Sequence, residues 1–171
     1  MFWLKSGLFA VGLGMSFVYA IIPPLARDLG LSEIQASFIF SLSAVAWAMT
    51  SAPWGRASDK YGRRNIAILG YIGYSISMII LILPIYLADK NILSAAFVFP
   101  LLILGRTIYG LLGSATRPAS FAYVADITPK SKRTKKFARF ESNFLLGTLV
   151  GPLLGGYLYL CLLYTSDAAD D

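Results

Sequence analysis

The sequence predicts an all-α membrane protein with five transmembrane helices, and three observations carry that prediction. Of 171 residues, 57% are hydrophobic and only 14% are charged, where a soluble domain carries about 25% charged residues. Four stretches hold no charge at all: 6–26, 34–55, 65–88 and 142–160. Each is near the roughly 20 residues that cross a bilayer core as a helix. A fifth stretch, 91–125, is interrupted only by Arg106 and Arg117. A soluble helical bundle of this composition would lack the polar surface to cover itself.

The expected helices are 4–26, 33–55, 65–88, 94–125 and 138–160. The first begins with Lys5 before an apolar run, as a secretory leader does. No small-residue cleavage site leads into a polar mature region, so it reads as a retained helix. Pro23 and Pro24 are expected to bend its far end. Gly30 closes the first connection, and Ser32-x-x-Gln35 is a capping box opening the second helix. Pro53 falls in the last expected turn of that helix, and Pro84 near the end of the third. Pro129 closes the fourth segment before a basic stretch. Residues 161–171, Cys-Leu-Leu-Tyr-Thr-Ser-Asp-Ala-Ala-Asp-Asp, are expected to be a non-native tail. They can be encoded by the adapter of transposase-based sequencing libraries, and three aspartates break the charge logic of the chain.

The net charge of +6 is not a nucleic-acid footprint once its positions are mapped. Arg56, Lys60, Arg63 and Arg64 lie between the second and third helices. Lys130, Lys132, Arg133, Lys135, Lys136 and Arg139 lie between the fourth and fifth. The alternate connections hold only Arg27, Asp28 and Glu33, then Asp89 and Lys90. Positive connections stay cytoplasmic, which puts the N-terminus inside. The sequence has no histidine and one cysteine, Cys161. That excludes the common zinc sites, His-based nucleophilic triads and an intrachain disulfide. No metal or cofactor is expected. A membrane enzyme is disfavoured by the missing histidine and by the lack of carboxylates in mid-span.

Three motifs add a resemblance to this reading. The segment Gly55-Arg-Ala-Ser-Asp59-Lys60-Tyr-Gly62-Arg63-Arg64 resembles G-x-x-x-D-[RK]-x-G-[RK]-[RK], the signature between helices two and three of the major facilitator superfamily. It reads as a tight positive turn, with Gly62 supplying unusual backbone angles and Gly55 close helix approach. The resemblance implies a gating latch between the two halves of a transporter, and the bland alternative is a topology signal. Ala57 stands where the family has a bulky apolar residue. Asp126, in Ala122-Tyr-Val-Ala-Asp-Ile-Thr-Pro129, resembles a family element and is expected on the same side, as a latch partner for Arg63 or Arg64 or as a simple interfacial acid.

Arg106 is the only charge deep in a span, a placement that costs roughly 2.5–3.5 kcal/mol on insertion scales. Arg106-x-x-Tyr109-Gly110 is similar to the fourth-helix motif R-x-x-Q-G-x-G, with Tyr109 for Gln and Leu112 for the second Gly. The resemblance implies a transport-cavity or coupling role for Arg106, Tyr109 and Gly110. The alternative is a structural arginine bonded to neighbouring carbonyls or hydroxyls. Tyr19, Gln35, Trp47 and Asn143 are further cavity candidates. Gly147-x-x-x-Gly151-Pro152-x-x-Gly155-Gly156 matches the fifth-helix antiporter motif in full. Its glycines make a smooth stripe for helix packing, and Pro152 permits a bend.

The chain thus looks like the N-terminal five helices of a 12-helix drug:proton antiporter, a half built from inverted three-helix repeats. The resemblance implies a proton gradient as energy source, a small-molecule substrate and the cytoplasmic (inner) membrane of a bacterium. It also implies a C-terminal half as partner, and an inactive fragment without it. The carboxylates Asp28, Asp59, Asp126 and Glu141 all fall near span ends. The coupling acid is therefore expected outside these 171 residues or at Asp28 or Glu141. A metabolite or sugar carrier of the same superfamily and a non-transporting five-helix structural protein are the alternatives.

Overall fold

A computed structural model of the chain describes residues 2–28, 30–89, 93 and 95–167. Among them all regular structure is helical: α1 Phe2–Asp28, α2 Glu33–Tyr61, α3 Arg63–Asp89, α4 Ala95–Leu112, α5 Thr116–Asp126 and α6 Arg133–Asp167. Short 3-10 turns, Gly113–Ala115 and Lys130–Lys132, join α4 to α5 and lead into α6. With α4 and α5 taken as one rod, five helical rods result, as the sequence predicts. Among the described residues, four segments are long and apolar enough to cross a membrane: Trp3–Arg27, Glu33–Tyr61, Arg63–Leu87 and Phe97–Asp126. The expected fifth span, 138–160, lies within α6, and its last side chains, 158–160, lie outside the described residues. The chain is an integral membrane protein.

The helices form two compact units. The first comprises residues 1–30 and 138–171, essentially α1 with α6. Leu4, Leu8, Val11, Val18, Ile22 and Ala26 are buried along α1. Their spacing of three, four or seven residues is one face of a 3.6-residue helix. The second unit comprises residues 31–137. There α4 makes its most extensive contacts with α3 and α2, and α5 packs on α3. Its core includes Ile39, Ile66, Ala67, Leu81, Val98, Leu102, Ala115 and Ala119.

Two expectations about connections are corrected. The 55–64 segment is not a ten-residue turn: α2 runs to Tyr61, α3 starts at Arg63, and Gly62 alone is non-helical. Ser58 sustains the helix by bonding the Gly55 carbonyl at 2.7 Å. The 94–125 segment is not one continuous α-helix. Pro118 has no N–H for the carbonyl of Ser114, four residues back, and its ring crowds that carbonyl. The chain answers with the 3-10 turn at Gly113–Ala115.

Candidate functional site

The first cluster sits where α2, α3 and α5 end. Gly62 has φ +95° and ψ 131°, a region open essentially to glycine alone. A Cβ there would have room, its nearest neighbour being Asn65 Nδ2 at 3.7 Å. Backbone angle, not space, therefore demands the glycine. At Gly55 a Cβ would meet only Pro118 Cβ, at an ordinary 3.9 Å, so the close approach expected at that position is not required there.

The one-residue junction swings Arg63 back over the end of α2. Its Nη1 pairs with Asp59 and donates to Ser58 Oγ at 3.0 Å, while its Nε donates to Asp126 Oδ2 at 3.1 Å. One guanidinium fork thus ties α2, α3 and α5 together through three acceptors, the planar geometry for which arginine differs from lysine. Lys60 stacks over the Tyr61 ring at 5.3 Å, and Arg64 and Arg56 are exposed. Ala57 packs with Trp54 against Ile66, Ala67, Ala115 and Ala119.

The second cluster surrounds α4. Arg106 is only 1% exposed. Its guanidinium lies over Phe40 of α2 at 5.2 Å and over Tyr109 at 5.0 Å from the ring centroids. A desolvated cation–π contact is worth about 2 kcal/mol. Two rings therefore offset an insertion cost of roughly 2.5–3.5 kcal/mol. Tyr109 is held edge-on by Tyr74 of α3, with centroids 5.9 Å apart. A Cβ on Gly110 would lie 2.6 Å from the Ser43 carbonyl and 2.8 Å from Ala46 Cβ, so this glycine lets α4 meet the α2 backbone.

One turn on, α2 reaches the carbonyls beside the 3-10 turn. Trp54 Nε1 donates to the Leu111 carbonyl at 2.6 Å. Thr50 Oγ1 shares its one proton between its own helix, at the Ala46 carbonyl (2.7 Å), and the Gly110 carbonyl (3.0 Å). It also shares a 2.8 Å hydrogen bond with the Ser114 hydroxyl. Ser58, Thr50, Trp54 and Ser114 are participants that sequence reasoning did not single out. The available signal was the pair Thr50 and Trp54, two polar groups one helical turn apart in an apolar stretch.

The third feature belongs to the α1–α6 unit. A Cβ on Gly147 would overlap the Phe9 carbonyl and lie 2.7 Å from Leu13 N. One on Gly151 would overlap Ser16 Oγ and lie 2.5 Å from the Leu13 carbonyl. From the other side, a Cβ on Gly12 would overlap the Phe144 carbonyl. Gly155 is looser, with Ala20 Cβ at 3.3 Å, and a Cβ on Gly156 would meet nothing within 4 Å. Pro152 is exposed.

Of the remaining candidates, Trp47 borders the Arg106 cluster through its backbone, its N lying 3.2 Å from a Cβ built on Gly110. Gln35 accepts from Ser32 N at 2.9 Å, closing the capping box that opens α2. Tyr19 is 45% exposed on α1. Asn143 bonds the carbonyl of Arg139, on its own helix, at 2.6 Å. Trp47 is half-buried on α2.

Residues 6–162 match the sequence profile of the Major Facilitator Superfamily. The chain belongs to this superfamily. Among curated relatives, the class B tetracycline resistance protein of Escherichia coli is 33% identical over 148 residues, which are 85% of this chain and 34% of that protein. The quinolone resistance protein NorA of Staphylococcus aureus (strain Mu50 / ATCC 700699) is 26% identical over 157 residues, 92% of this chain and 37% of that one. The chain therefore spans about a third of the length of these relatives. Within a major facilitator half, the Arg63 fork, the Arg106 site and the α6 glycine face are the three motif regions given structural form.

Proposed function

We propose that the chain is the opening part of a secondary transporter, not an enzyme, that exports drugs or other small organic molecules by alternating access in exchange for protons. The observation that carries this reading is the complete α6 motif, with Gly147 and Gly151 seated against the backbone of α1. Superfamily membership and the resistance named for both relatives support it, since a membrane carrier confers resistance by moving the compound outward. The membrane is the cytoplasmic membrane of a bacterium, with the N-terminus inside, as the basic connections direct. The Arg63 fork closes against the C-terminal half of the same transporter, and Arg106 with Tyr109 lines the route of substrate or proton. The coupling carboxylate is Asp28 or Glu141, or lies in the remaining part of the transporter, because Asp59 and Asp126 already serve Arg63.

The test is expression of the full-length gene in an efflux-deficient bacterium. Lower accumulation of tetracycline or a quinolone, abolished by a protonophore, is the expected result. Unchanged accumulation of both compounds, with the protein present in the membrane, overturns the drug-exporter reading. In liposomes, these 171 residues alone are expected to show no proton-driven flux.

A further inference from the structure

The Arg63–Asp126 bond of 3.1 Å brings the α2–α3 junction against the end of α5. The spans Arg63–Leu87 and Phe97–Asp126 begin and end here, so this end of the unit lies at a membrane surface. Segments 55–65 and 120–137 carry nine cations and two acids, Asp59 and Asp126. Both acids bond Arg63. Lys130, Lys132 and Lys135 are exposed on the chain that follows. That chain is pinned: Arg133 Nε donates to the Thr128 carbonyl at 3.1 Å, and Thr128 is 4% exposed.

The same end also bares apolar groups. Tyr61 is 61% exposed just before Gly62, and Ile127 is 48% exposed just after Asp126. A surface for a soluble acidic partner has no use for bare apolar side chains at the level of the membrane boundary. A headgroup layer does: it presents phosphates above and acyl chain below, and takes cations and amphipathic side chains together. Topological retention needs only the charge.

We infer that Lys130, Lys132 and Lys135, with Tyr61 and Ile127, form a binding surface for the headgroups of anionic phospholipids. The lysines take the phosphates, and Tyr61 and Ile127 seat at the acyl boundary. The surface stands independently of the transport reading. It is tested on the purified chain by native mass spectrometry of lipids retained from mixtures of phosphatidylglycerol and phosphatidylcholine. The wild type is expected to enrich phosphatidylglycerol, by roughly fivefold for each lysine engaged. The variant K130Q/K132Q/K135Q is expected to lose that enrichment, while K5Q keeps it. Ile127→Ser, which leaves every charge in place, is expected to lower total retention severalfold. Raising salt to about 0.5 M is expected to weaken the wild-type preference, a check that needs no variant. Undiminished enrichment in the triple variant, salt-independent enrichment, or full retention by Ile127→Ser overturns the surface. Displacement of the lipid by equimolar inorganic phosphate also overturns it, by revealing a site for soluble anions.

Discussion

The α1–α6 pair and the α2–α4 pair face the same difficulty: lipid tails are as apolar as leucine, so burial alone does not hold two helices together. The α1–α6 pair answers with shape. Gly12, Gly147 and Gly151 strip away side chains until the backbones touch, and dispersion over a long contact does the rest. The α2–α4 pair uses one such contact, Gly110, and adds directed bonds from Thr50 and Trp54 to α4 carbonyls. Shape fails all at once when a methyl group is added. Directed bonds fail one at a time, and each is worth only about 0.6 kcal/mol in a membrane, 1.7 at most.

The largest expected effect breaks the first pair. Gly151→Leu forces a side chain into the Leu13 carbonyl and Ser16 and is expected to cost about 3 kcal/mol, the upper range for overpacking. Cysteine crosslinking between α1 and α6 reads the loss. Next comes Gly62→Ala, where the φ of +95° imposes about 1–3 kcal/mol of backbone strain. Reversible unfolding in mixed micelles measures it. Trp54→Phe keeps the ring but removes the N–H from Leu111. It is expected to cost about 1 kcal/mol and to speed amide hydrogen exchange around 113–117, while leaving α1–α6 crosslinking intact. Crosslinking that fell as well would dissolve the distinction between the pairs. Asp126→Asn is smaller, about 0.5 kcal/mol for an exposed pair, and its effect should vanish at high salt. Gly156→Ala, with nothing within 4 Å, should be silent in crosslinking. A strong effect there would show that the glycine stripe has a second partner face.

The same contrast explains what could be read from the sequence. Helices α1 to α3 were legible because membrane insertion is a property of one segment at a time: about 20 residues without charge suffice. Gly62 was legible for a similar reason, since only a local backbone demand requires it. The extent of α2 beyond Gly55 was not. A glycine and a string of charges read as a turn, yet Ser58 and Arg63 supply bonds that keep Asp59 to Tyr61 helical. The break at Gly113–Ala115 had a visible trigger in Pro118, but its position depends on Thr50 and Trp54, some 60 residues away in sequence. Arg106 was legible as a site needing compensation. That its compensation includes the faces of Phe40 and Tyr109 depends on how α2 lies beside α4, which no periodicity in the chain encodes.

The single-residue junction at Gly62 also bears on how the protein is made. One non-helical residue gives about 7 Å between the flanking Cα atoms at most, less than the 10 Å width of a helix with its side chains. The joined ends of α2 and α3 therefore stay side by side at one depth of the bilayer. The two form one hairpin, with Arg63 and Arg64 at its turn and Glu33 and Asp89 at its open end. That hairpin takes up nearly 60 residues, from Glu33 to Asp89, so its two arms become neighbours only once all of them have left the ribosome.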